Sequence, residues 1–515
     1  MHPLKFRIDA GGVERYNVAR AMIPLPRTHP HLYEINTRVW LRRLSEKRGR
    51  PMTLACVPDD EWRALAARGF DLVWLMGVWK RSPKARGIAL SSPALRKAYD
   101  EALPGWKEED VEGSPYAVHE YVLDPALGEP EELSEVRARL NRIGLGLILD
   151  FVCNHTALDH PWTLSYPERF VRASAAEAAG KPEWFFKTER GDFLACGRDP
   201  NFPPWSDTAQ VNFFSTELRA GLQEELLKIA RDCDGVRCDM AMLAINNVFG
   251  DVWGRFVKEE RPAEEFWPSL IQRTRRRRPG FLFLAEAYWN MEWKLQQMGF
   301  DYTYDKVLYD RLRSSSAADV AGHLLAEDVY QRRSARYIEN HDEERALKAL
   351  GRARSFAAAT VMATVPGLRL YHDGQLEGRL ARLPVQLVRE PKEEPDAQVA
   401  GFYARLLSAV DHPAFHGGEW RRTEVLPAMT GGGTHRNVLC WLWRQAGKTQ
   451  VVAVNYSGES SAAQLMIPQL SPESEKIVFR DQLGGTDFER DAREVRQRGL
   501  GVELAPWEAR ILSVA

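Results

Sequence analysis

No stretch of this 515-residue chain approaches a membrane helix, which needs roughly 20 consecutive apolar residues. The opening MHPLKFRIDAGG has no apolar run of the kind a signal peptide carries. The sequence therefore implies a cytoplasmic protein with no membrane partner. Charge of one sign is missing too: 70 Lys and Arg face 71 Asp and Glu, so no global field draws the chain to nucleic acid or a lipid surface. The RRRR run at 275–278 reads as a solvated helix end rather than a nucleic-acid patch. Cysteine is sparse and scattered (Cys56, Cys153, Cys196, Cys233, Cys238, Cys440) with no C-x-x-C pair, which argues against a disulfide framework or a zinc site. A neutral partner is left.

What the chain does have is alternation. Short apolar runs, LYEINTRVWL (32–41), DLVWLMGVW (71–79), LGLILDFV (145–152), DGVRCDMA (234–241), FLFLAEAYW (281–289), FDYTYD (300–305), SARYIEN (334–340) and GLRLYHD (367–373), are separated by amphipathic helical patterns such as 215–232. Strands that alternate with helices pair in parallel, and eight such units imply an α/β fold, a closed (β/α)8 TIM barrel. The boundaries this gives are an N-terminal extension at 1–30, a catalytic barrel at 31–410, an inserted subdomain B at 153–214 after strand 3, and a C-terminal antiparallel β-sandwich at 411–515. The last region is marked by short strand-like segments between Gly, Ser and Pro.

In such a barrel the carboxyl ends of the strands carry the chemistry. Asp150, Asp239 and Glu286 end three of the runs and Asp342 follows a fourth, with Arg237, Asn154, His155, Asn340 and His341 beside them. One acid at a strand end is usually a turn former or cap; four on one rim, with an arginine alternating with Asp239 on the inward face, suit a reaction that needs paired carboxyl groups. Glycosidic hydrolysis with retention is such a reaction, using an ionised nucleophile and a proton donor of raised pKa. Arg237 would hold Asp239 ionised, and the apolar run around Glu286 would keep that acid protonated.

DFVCNH (150–155), GVRCDMA (235–241), LAEAYW (284–289) and IENHD (338–342) resemble, in order, four motifs of the α-amylase superfamily of retaining α-glycosidases and transglycosidases. The resemblance implies Asp239 as nucleophile, Glu286 as general acid/base and Asp342 as the third, transition-state carboxylate. It implies Arg237, His155, His341, Tyr116 and Asn340 as substrate-binding residues, and Asp150 as structural. Asn154 and Asp207 become candidate ligands of a structural calcium, with no cofactor required for the chemistry. The substrate class implied is an oligosaccharide or α-glucan.

The departures bear on specificity. Met242 and Leu243 stand where many α-amylases carry Lys-His, and Ala117 follows Tyr116 where exo-acting α-glucosidases carry an aspartate. The segment between Asp239 and Glu286 is long and contains Trp253 and Trp267, either shaping an acceptor site or adding a helix. Hydrolysis is the expectation. Transglycosylation or disaccharide isomerisation through the same intermediate is the alternative, and a non-catalytic carbohydrate-binding scaffold, which would lack a carboxylate, is a second.

Overall fold

The computed structural model describes residues 27–428, 432–468 and 475–514. The proposed extension therefore lies outside the described residues up to residue 26. Among the described residues no helix is long and apolar enough to cross a membrane.

Eight parallel strands close into a barrel: β1 (His31–Asn36), β2 (Leu72–Met76), β3 (Gly146–Phe151), β4 (Gly235–Cys238), β5 (Leu282–Ala285), β6 (Tyr302–Tyr304), β7 (Ser334–Arg336) and β8 (Leu368–His372). Each pairs with its sequence neighbours, and β8 returns to β1 through His31 opposite Arg369. Successive side chains point to opposite faces of a strand. Leu32, Trp74, Met76, Ile148, Leu284, Tyr304 and Leu370 fill the barrel, while Val73, Leu75, Leu147, Leu149 and Val236 pack outward on the helices. Gly235 opens β4 because any larger residue would collide: a Cβ there would lie 2.6 Å from Leu282 Cβ and 2.7 Å from its carbonyl.

The first strand is shorter than the apolar run suggests. Asn36 accepts a hydrogen bond from the Val39 amide and caps a helix over Thr37–Arg48, so the RVWL segment is helical. The arginine run behaves as read, with Arg275, Arg276 and Arg277 in the last turn of the helix Phe266–Arg277.

After β3 the chain leaves the barrel. His155–Ala157 pairs antiparallel with Thr208–Gln210, and Arg172–Ala173, Phe193–Ala195 and Phe185–Lys187 form a small sheet between them. Beyond the helix Ala397–Val410 come a six-stranded antiparallel sheet and a three-stranded one. The strand Val438–Gln445 shows how they pack. Leu439, Trp441 and Trp443 join the barrel's outer core, whereas Val438, Cys440 and Leu442 face the second sheet.

Candidate active site

The β4 end is where opposite charges meet. Arg237 points inward, fully buried, and its Nη1 donates to Asp239 Oδ1 at 2.6 Å. Its Nη2 lies 2.7 Å from Glu286 Oε1, so one guanidinium grips both carboxylates. Trp74, Tyr116 and Tyr304 surround it, with ring centroids 5.3, 5.2 and 5.7 Å from its central carbon. A buried arginine needs such compensation.

Glu286 is held from three sides. Besides Arg237, the Met240 amide donates to Oε2 at 2.6 Å and the Tyr288 hydroxyl to Oε1 at 3.0 Å. Met240 reaches it by adopting a left-handed backbone (φ 44°), which is uncommon for a residue with a side chain. Burial raises the Glu286 pKa to about 7, against the pull of Arg237, and the neighbouring Asp239 and Asp342 add to the rise.

Asp342 behaves in the opposite way. Burial would raise it, but His341 beside it, with Nε2 3.0 Å from Oδ2, and the charges of Arg237 and Arg382 bring it down to about 2. Its side chain is 43% exposed, so it reaches solvent. His341 Nε2 also lies 2.7 Å from the Tyr116 hydroxyl, and the two rings stack at 5.4 Å. His155 Nε2 stands 4.0 Å from Asp239 Oδ2, with Trp205 against its ring at 5.0 Å.

The structure thus brings Asp239, Glu286, Asp342, Arg237, His155, His341 and Tyr116 together in one network of contacts. Asp150 sits behind it, accepting from the Gly77 amide at 2.8 Å and Trp74 Nε1 at 3.2 Å, and burial lifts its pKa to about 6. Asn340 shapes the loop: its Oδ1 accepts from the amides of Asp342 and Glu343 at 3.0 and 2.9 Å.

Asn154 and Asp207 do not assemble a calcium site. Thr208 pairs with Ala157 and Gln210 with His155, so Asp207 and Asn154 lie at opposite ends of that ladder, about 13 Å apart along it. The Asn154 carboxamide oxygen instead accepts from Gln210 Nε2 at 3.1 Å, and the same Nε2 reaches the Asn154 and Val211 carbonyls at 2.9 and 3.1 Å. Among the described residues no cluster of three or more His, Cys, Asp or Glu is arranged to hold a metal ion.

The long segment after β4 is an added helix. Asn246–Trp253 and Phe266–Arg277 bury Trp253 and Trp267, and Trp267 Nε1 donates to the Ala241 carbonyl at 2.8 Å. Met242 and Leu243 are buried as well. The sequence reading passed over three residues at the site: Glu34 at the end of β1, Tyr288 and Tyr304. Glu34 carried a usable signal, an acid inside an apolar strand.

No family model matches the chain. It is 28% identical over 247 residues to alpha-amylase MalA of Haloarcula japonica, covering 46% of this chain and 32% of that protein. With alpha-amylase 3 of Dictyoglomus thermophilum it shares 22% identity over 298 residues, 53% of this chain and 55% of the other. The chain thus spans between about a third and about half of the length of these relatives. A solved structure of the noncanonic maltogenic alpha-amylase AmyB from Thermotoga neapolitana superposes with a TM-score of 0.66 at 19% identity, over 94% of this chain and 98% of that one. The chain is thus similar in sequence to these alpha-amylases over about half of its length, and the solved structure shares its fold over nearly all of it.

Proposed function

We propose that this protein is a retaining α-glycoside hydrolase acting on α-glucans or malto-oligosaccharides. The observation that carries the reading is the single guanidinium of Arg237 shared by Asp239 and Glu286. Retention needs carboxyl groups roughly 5 Å apart and inversion roughly 6.5–9.5 Å. Two carboxylates held by one planar guanidinium favour the short spacing.

In the first half-reaction an Asp239 oxygen attacks the anomeric carbon, the glycosidic C–O bond breaks, and the Glu286 proton passes to the leaving oxygen. In the second, water attacks the same carbon, the Asp239–carbon bond breaks, and Glu286 takes the water's proton. Asp342 and His341 hold sugar hydroxyls as the ring flattens, and Tyr116 lies beneath it. Transfer to a sugar acceptor in place of water is the second reading. It is favoured by the half-buried aromatic rings of Tyr288 and Trp289 beyond Glu286.

Proton NMR during early turnover of malto-oligosaccharides and small α-glucosides tests the first reading. An α-configured first product, lost in Glu286→Gln, is expected; a β-configured product would sink retention. Products longer than the donor would establish transfer.

A further inference from the structure

Glu34 ends β1 with its carboxylate buried in the barrel mouth, fully out of solvent. One oxygen meets His341 Nδ1, and the other, Oε2, has no hydrogen-bond partner. A carboxylate with a bare oxygen in a dry interior is expensive, and a barrel needing only packing would place a leucine there. His341 in turn presents Nε2 to Asp342 and to the Tyr116 hydroxyl. The imidazole is therefore threaded between two acids on opposite sides of the barrel seam.

We infer that Glu34 is a positioning residue: through His341 it fixes the direction in which Asp342 and Tyr116 address the sugar. This rests on the proposed role of Asp342. An imidazole that is hydrogen-bonded at one nitrogen only can turn about its Cβ–Cγ bond, and Asp342, which is open to solvent, would turn with it. An acid anchored in β1, a rigid strand, removes that freedom. It also decides the charge of the ring. Glu34 from β1, Asp342 from the ring's own loop and Asp150 from β3 supply negative charge around it, and Trp74 from β2 and the Tyr116 hydroxyl close the remaining sides. Burial would discharge the imidazole, yet the two acids it touches raise its pKa to about 10, so it works as an imidazolium. Arg382, from the loop after β8, adds its positive charge to the surroundings of Asp342.

The test is a histidine NMR titration of the full chain labelled with ¹⁵N-histidine, the His341 signal being assigned by its loss in His341→Gln. Wild-type His341 is expected to stay doubly protonated through pH 9, and in Glu34→Gln to deprotonate at least about two pH units lower. Titration near pH 6.5 in the wild type, or an unchanged midpoint in the variant, would overturn the inference. Kinetics give the second reading. Glu34→Gln should lower kcat/KM about 10- to 100-fold in the wild-type background and less than about 2-fold in His341→Gln, because the effect runs through the ring. Losses that multiply would mean Glu34 only supports the barrel. The NMR arm needs no turnover, so it separates failure of this inference from failure of the proposed activity. It also stands on the wild type alone if Glu34→Gln does not fold.

Discussion

Arg237 illustrates how much one buried side chain decides. It is the only counter-charge that touches both Asp239 and Glu286 among the contacts of the described residues, and it is sealed from solvent. Removing one partner of a buried ionic group leaves the others unpaid in low dielectric. Arg237→Leu should therefore destabilise the fold by about 3–5 kcal/mol, measured by urea denaturation, and a variant as stable as wild type would mean that both carboxylates take up protons at no cost. The pH dependence follows from Glu286. Its folded pKa is raised to about 7, and in the proposed role of proton donor it must be loaded, so the competent fraction is full below that value and shrinks as pH rises through it. We expect kcat/KM to fall about tenfold per unit above pH 7. Glu286→Gln should abolish that limb along with most activity; a limb that persists in the variant would assign the titration to another group.

At the scale of elements, the eight barrel strands were legible because each is a short apolar run bounded by turn residues, and the arginine that breaks one run is inward-facing on β4. The end of β1 was not, because Asn36 turns an apolar stretch into a helix and a strand period cannot be told from a helix period over so few residues. Glu34 was legible by the same logic that exposed Arg237, a charge in an apolar strand, but its partner lies 307 residues away and only the closed barrel joins them. The Asn154–Asp207 pairing failed because strand register, which sequence does not show, separates the two along the ladder. Gln210 instead satisfies the Asn154 carboxamide. Its buried Nε2 serves three oxygens, those of Asn154 and Val211, so Gln210→Leu strands them and should cost about 1–3 kcal/mol, seen as a lower urea midpoint. A chelator such as EDTA should leave the wild-type melting temperature and kcat unchanged, and a clear drop in either would show a cation site that these side chains do not reveal.

For the whole molecule the question is whether barrel and C-terminal sheets are one cooperative unit. The six-stranded sheet turns Leu439, Trp441, Trp443, Val452 and Val454 toward the barrel, in the same continuous core as Val361, Val365 and Leu406. Polar bonds cross the seam as well: Trp443 Nε1 donates to the Thr364 carbonyl at 2.6 Å, and Arg369 of β8 donates to the Phe415 carbonyl at 2.8 Å. An interface built like a core, rather than like a transient contact, implies that neither side persists without the other. Trp443 is wholly buried there, so Trp443→Ala removes packing, opens a cavity and strands the Thr364 carbonyl, a loss of about 3–5 kcal/mol. The loss should shift the entire urea transition, with tryptophan fluorescence and far-ultraviolet circular dichroism still coinciding. Two separated transitions in the variant, one moved and one not, would instead make the C-terminal sheets an independent domain resting on a barrel that is stable alone. In that case β8, and with it the β1 edge that carries Glu34, would not depend on the sheet for its position.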